Sequence, residues 1–177
     1  GQPAIELEID PEGCFSIGVD IDRDHLTILA VDATGGVRGR VHHEKRFMLP
    51  EEVVELTADA ISYFRRSHLV DEARVAGIGV AIPDWLGELP VLGKPDDYVK
   101  WTGFDLRAAL SRLTTHPIFI DNESNAAAMA ELDYGLGAES RSFFYIYICA
   151  CTGGGLVLDG LRHQGAMGLS GEIGWMP

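Results

Sequence analysis

The chain has 177 residues, 46% of them hydrophobic, with 14 basic against 27 acidic side chains and a formal net charge of −13 at pH 7. That is enough apolar material for a buried core, and the length suits one domain or one domain plus part of another. The charge argues against a free-standing nucleic-acid-binding module, which needs a basic face to replace phosphate counterions, but not against a link to DNA through a separate segment.

In chain order, Phe15–Ile21, Leu26–Asp32 and Val37–Arg46 read as three strands. Short turns at Asp22-Arg23-Asp24 and Ala33-Thr34-Gly35-Gly36 make them an antiparallel meander. Pro50 opens a helix that runs to about His68, with Glu51 and Glu52 in its first turn and Arg65 and Arg66 in its last, matching the helix dipole. Val53, Leu56, Ala60 and Phe64 mark its apolar face. Arg74–Ile82 is nearly all apolar, as a buried parallel strand is, and Pro83 stops it. An irregular stretch from Asp84 to Gly103 follows, then a helix over Phe104–Leu113, a short strand over His116–Ile120 and a helix from about Glu123 to Tyr134. Ser142–Cys151 and Leu156–Leu161 read as two further strands, with a glycine run between them. The order is α/β. A meander followed by helix-separated strands is the pattern of a ribonuclease H-like, actin-like ATPase half-domain.

Cys14, Cys149 and Cys151 are odd in number and lack zinc-knuckle spacing, so a disulfide scaffold is not expected. They read as buried, inert thiols, with Cys149 and Cys151 on one face of a strand. The longest strongly apolar run, Phe143 to Cys151, is too short to span a bilayer, and the opening residues do not read as a signal peptide. A reducing cytoplasm is the expected compartment. His25, His42, His43, His68, His116 and His163 form no spaced ligand set, and no metal site is expected.

Four segments in order resemble the ROK family of repressors and sugar kinases. They are Val75-Ala76-Gly77-Ile78-Gly79-Val80-Ala81-Ile82-Pro83, the helix start from Ile120 to Glu131, Gly153-Gly154-Gly155-Leu156-Val157-Leu158-Asp159-Gly160, and Gly165-x-x-Gly168-x-x-Gly171-Glu172-Ile173-Gly174. Each is weak alone, and the order makes the match specific. The resemblance implies a sugar-kinase type of actin-like fold, with residues 15–121 as a ribonuclease H-like lobe and 122–177 as the start of a second α/β lobe that binds sugar.

The resemblance also exposes departures. A ROK kinase carries Asp-x-Gly-Gly-Thr after its first strand, because glycines let backbone N–H groups reach a polyphosphate. Here that place holds Asp20-Ile21-Asp22-Arg23-Asp24, which reads as an ordinary acidic turn. Arg23 could contact phosphate, but two aspartates flank it. The second phosphate segment survives only as the remnant Gly153, Gly154 and Gly155, read as a tight hairpin in preference to a nucleotide site. The family's catalytic aspartate is matched by Glu123, the general base if the chain is a kinase. Asn122, Glu123 and Glu172 are the expected sugar ligands, since an amide donates and accepts and carboxylates accept from hydroxyls. Asn122 equally reads as a helix cap, with Glu123 at the positive end of the dipole. Trp175 stands where the family has a zinc-binding histidine, and it suits stacking on a sugar or packing alike.

Gly1-Gln2-Pro3-Ala4-Ile5-Glu6-Leu7 looks like the joint that links a winged helix-turn-helix to the sugar-binding part of ROK repressors. Residues 1–14 are therefore expected to be a linker, and the chain a piece of a longer regulator. The expected function is a sugar-sensing effector domain without kinase activity and without a cofactor. Its expected partners are a small sugar, DNA through a separate domain only, and a second copy in a homo-oligomer. The alternatives are a divergent ROK kinase that phosphorylates a hexose or N-acetylhexosamine with ATP, and a structural remnant that binds nothing.

Overall fold

Phe15–Ile21 (β1) alternates strictly, burying Phe15, Ile17, Val19 and Ile21, as a strand with one covered face does. The structure is a computed structural model that describes residues 6–149 and 151–175. The linker reading for Gly1–Ile5 and the side chain of Trp175 lie outside what it describes. β1 pairs antiparallel with His25–Asp32 (β2), which pairs antiparallel with Val37–Glu44 (β3). Helix α1, Pro50–Arg66, lies across this meander. Proline at its first turn, acids beside it and arginines at its end act as expected. Val53, Ala60 and Phe64 are buried, and so is Thr57, whose hydroxyl donates to the Val53 carbonyl at 2.7 Å.

Val75–Ile82 (β4) pairs parallel with β1, and Ile118–Asn122 (β5) pairs parallel with β4. The sheet order is β3-β2-β1-β4-β5. Its inner face and α1 share one core with Leu106–Leu110 (α2), which contributes Leu106 and Leu110. Helix α2 is shorter than the Phe104–Leu113 span expected. Asp105 caps its start, accepting from the Ala108 N–H at 2.8 Å, and the Ser111 hydroxyl folds back on the Arg107 carbonyl at its end. β5 begins and ends two residues later than expected, which makes Asn122 the last residue of the strand.

Glu123–Tyr134 (α3) follows directly, then one turn, Gly137–Ser140 (α4). Phe143–Ile148 (β6), Thr152–Leu158 (β7) and Leu161–Arg162 (β8) form a separate antiparallel sheet, order β6-β7-β8, with α3 against β7. Two expectations fail here. Gly153–Gly155 lie inside β7 and not in a tight turn, and before β7 the Cys149 N–H donates to the Cys151 carbonyl at 3.0 Å. Cys149 is therefore exposed and not a buried strand thiol. The glycines serve a close approach of helix to strand: a Cβ on Gly155 would lie 2.5 Å from Ala128 Cβ and 2.8 Å from the Ser124 carbonyl oxygen. Among the described residues no helix is long and apolar enough to cross a membrane.

Gly155→Ala should destabilise the protein by about 1–3 kcal/mol, because α3 must move to admit the methyl group. Urea denaturation checks this, and an unchanged midpoint would mean that α3 and β7 are not in contact at Gly155.

Candidate functional site

Strands β1, β4 and β5 run parallel, so their carboxyl ends meet along one edge of the sheet. Open α/β sheets bind ligands at that edge. Here Asp22 and Arg23 follow β1, Pro83 and Asp84 follow β4, and Asn122 ends β5 and leads into Glu123. A cavity of about 400 Å³ opens there, lined among others by Arg23, Asp84, Asn122, Glu123, Thr152 and Glu172. It also touches the apolar side chains of Leu89 and Val91 from the irregular stretch after β4.

Asn122 performs the expected capping role and a second one that the sequence did not suggest. Its Oδ1 accepts from the N–H groups of Ser124 at 2.9 Å and Asn125 at 3.2 Å, capping α3. Its Nδ2 donates to Asp84 Oδ2 at 3.1 Å, tying the end of β5 to the end of β4. Glu123, in the first turn of α3, is buried, and its Oε2 has no hydrogen-bond partner. Burial pushes its carboxyl up from 4.5 to about 7. A hydrogen bond to its own backbone N–H pulls the other way, and nearby Asp22 adds to the rise.

Glu172 reaches the same cavity from the loop after β8, half-buried, with its pKa raised by burial and by Asp84. Of the glycine remnant only Gly153 lines the cavity, and Gly154 and Gly155 pack elsewhere. The structure thus brings Asn122, Glu123 and Glu172 together. Among the lining residues that sequence reasoning left out of the site are Arg23, Asp84, Ser124 and Thr152. The signal for the first two was positional, since each directly follows a parallel strand.

The Asp22-Arg23-Asp24 segment is not an ordinary surface turn, because Asp22 and Arg23 are both buried. Asp22 Oδ1 accepts from the Arg23 N–H at 2.6 Å, Asp22 Oδ2 accepts from the Tyr147 hydroxyl at 3.2 Å, and the Asp22 N–H donates to the His25 carbonyl at 2.9 Å. The Arg23 side chain runs toward β4, where its Nη2 lies 3.4 Å from the Asp84 carbonyl oxygen. Asp22, Asp24 and His25 bring possible metal-ligand atoms within 4.8 Å of one another, a grouping that spacing alone did not suggest. These groups already have partners. His25 Nδ1 bonds Asp24 Oδ1 at 2.7 Å and Nε2 bonds Asp20 Oδ2 at 3.2 Å. Partial burial opposes the charge on His25, but the two aspartates outweigh it and raise its pKa.

A five-stranded mixed sheet with a ligand edge formed by β1, β4 and β5, followed by a second sheet, is the α/β architecture of the actin-like ATPase class in its sugar-kinase form. Residues 16–177 match the ROK family, and the chain belongs to it. The xylose repressor of Bacillus spizizenii is 25% identical over 177 residues, covering 99% of this chain and 46% of the repressor. Among solved structures, a ROK family transcriptional regulator described as a homologue of the E. coli MLC protein superposes with a TM-score of 0.73 at 25% identity, over 97% of this chain and 43% of that one. The ROK hexokinase of Thermus thermophilus superposes with a TM-score of 0.66, also at 25% identity, over 90% of this chain and 51% of that one. The relatives therefore include regulators and kinases alike, and the chain spans about half of each one's length.

Between 4.5 and about 7 the folded protein keeps a proton on Glu123 that the unfolded chain releases, so this group makes stability fall as pH rises through that window. Glu123→Gln removes the effect. The variant should gain about 1–3 kcal/mol on the wild type between about pH 5 and about pH 8. Denaturation at the two pH values checks this, and a pH-independent difference would show that Glu123 ionises normally.

Proposed function

We propose that this chain is the sugar-sensing part of a ROK-type transcriptional regulator and does not phosphorylate sugar. The observation that carries the reading is the turn after β1. A polyphosphate needs backbone N–H groups that are free to point at it. Here the Asp22 N–H is spent on His25, the Arg23 N–H is spent on the Asp22 carboxylate, and the Arg23 side chain occupies the space beside them. No nucleotide cofactor is expected. Asn122, Glu123 and Glu172 take sugar hydroxyls in the cavity. Residues 1–14 link to a DNA-reading segment, 15–121 form the first lobe, and 122–177 begin the second. Ligand binding then shifts lobe or dimer geometry and biases the DNA-reading segment, which requires different contacts in the two states. The resemblance to a xylose repressor and a ROK regulator supports this reading.

One observation favours the second reading, a divergent kinase: a carboxyl pushed up to about 7, as at Glu123, suits a general base working near neutral pH. The two separate in an ADP-release assay on the full-length protein with ATP and a panel of hexoses, pentoses and N-acetylhexosamines. The regulator reading expects no sugar-dependent ADP release, and turnover on the order of 1 per second, an ordinary kinase rate, would replace it with the kinase reading.

Glu172→Ala should leave stability and operator binding nearly unchanged while weakening the response to sugar at least roughly tenfold, because a hydroxyl loses its matched acceptor. Asn122→Ala should do the same at a cost of about 1 kcal/mol in stability, since the cap on α3 goes too. Operator release titrated with sugar measures both. Unchanged midpoints in both variants would move the ligand out of this cavity.

A further inference from the structure

Among the described residues three buried side-chain polar atoms have no hydrogen-bond partner: Arg23 Nη1, Glu123 Oε2 and Ser124 Oγ. All three residues line the cavity at the ends of β1, β4 and β5. None is a surface group: Arg23 is 4% exposed, Ser124 1% and Glu123 9%. Buried polar atoms are nearly always paired, so three orphans in one cavity point to a ligand that pairs them.

The chemistry of that ligand follows from what the three can offer. A guanidinium only donates. The Ser124 hydroxyl is free to donate. Glu123 donates when it carries a proton, which its burial favours near neutral pH. The three therefore offer donors to one cavity, and Glu123 and Ser124 stand in the first turn of α3, a 12-residue helix whose positive dipole end lies there. The positive charge of Arg23 is only loosely balanced. Its Nη1 lies 4.0 Å from Asp22 Oδ1, beyond hydrogen-bonding range, and that carboxylate is already held by the Arg23 N–H and the Tyr147 hydroxyl. The other carboxylates of the cavity have different work: Asp84 accepts from Asn122, and Glu172 is left for hydroxyls.

We propose that the ligand is a sugar carrying an anionic group, a phosphate ester or a carboxylate, and that Arg23 with Ser124 and Glu123 receives that group. This rests on the reading of the cavity as a sugar site, adds the class of sugar, and moves Glu123 from a ring hydroxyl to the anion. Arg23 stands where a ROK kinase has a glycine of its phosphate loop, so the anion of the ligand would occupy the side of the cavity nearest that turn. Asn122 and Glu172 would hold the hydroxyls of the ring.

Calorimetry on the full-length protein tests it with matched sets: glucose, xylose and N-acetylglucosamine, their terminal phosphate esters, the corresponding uronic acids, and inorganic phosphate alone. In at least one set an anionic member should bind roughly 10- to 100-fold more tightly than its neutral parent, the value of a charge-assisted hydrogen bond to a buried guanidinium. The ester and uronate arms decide which anion is meant. Arg23→Gln should abolish the preference and leave affinity for the neutral parent within about threefold. Ser124→Ala, a smaller change that keeps α3 capped, should weaken the anionic member alone and serves if Arg23→Gln does not fold. A neutral sugar that binds as tightly as its anionic derivatives overturns this inference and leaves the sugar reading standing. Inorganic phosphate that binds as well as the best ester keeps the anion pocket and overturns the sugar reading. No binding by any member overturns both.

Discussion

The side-chain amide of Asn122 joins the two parts of the site. Its nitrogen donates to Asp84 at the end of β4, and its oxygen accepts from two N–H groups at the start of α3. An amide is suited to this because it is donor and acceptor on one rigid plane. Two parallel strands and a helix thus meet at one residue. The direction of α3, and with it the placing of Glu123 and Ser124, depends on that junction. The close approach of Gly155 to Ala128 then sets the second sheet against the same helix.

Around this junction the protein buries groups that a stability argument alone would leave outside. Asp22, Arg23 and Glu123 all lie under the surface at the carboxyl edge of the sheet. Burying charge is costly unless partners compensate, and here compensation is partial. The apolar core on the inner face of the sheet, with Ile28, Val53, Phe64 and Leu110 fully enclosed, provides the margin that offsets it. These three buried groups stand where β1 and β5 end, which is where an open α/β sheet presents its ligand edge.

The acidic turn after β1 gives the regulator reading its physical content. The backbone donors of Asp22 and Arg23 are consumed within the turn, so neither is left to cradle a polyphosphate. The same turn sends the Arg23 side chain inward toward the Asp84 carbonyl oxygen. In the regulator reading proposed above, this one turn both withdraws backbone donors that a polyphosphate needs and adds a cation to the neighbouring cavity. Relatives of both kinds share the fold, so the fold alone does not separate sensing from phosphorylating.

The elements with local physical signatures were legible in the chain itself. Helix α1 was readable from Pro50, the acids at its start and the arginines at its end, and the meander from its two short turns. Asn122 as a cap and Glu172 as a loop carboxylate near the same cavity were likewise within reach of motif and spacing. Only the tertiary structure decided the rest. Gly153–Gly155 look like a turn because glycine usually marks one, yet they lie in a strand where α3 leaves no room for a side chain at Gly153 and Gly155, and Phe144 of β6 leaves none at Gly154. Asp22-Arg23-Asp24 looks like a solvated turn because charged residues usually are, yet Asp22 and Arg23 are buried and bonded to Tyr147 and Asp84, 125 and 61 residues away in the chain. Local sequence determines hydrogen bonding and turn chemistry over a few residues. Whether a charge is buried, and which distant group it meets, depends on how the parallel strands align their ends, which no single segment encodes.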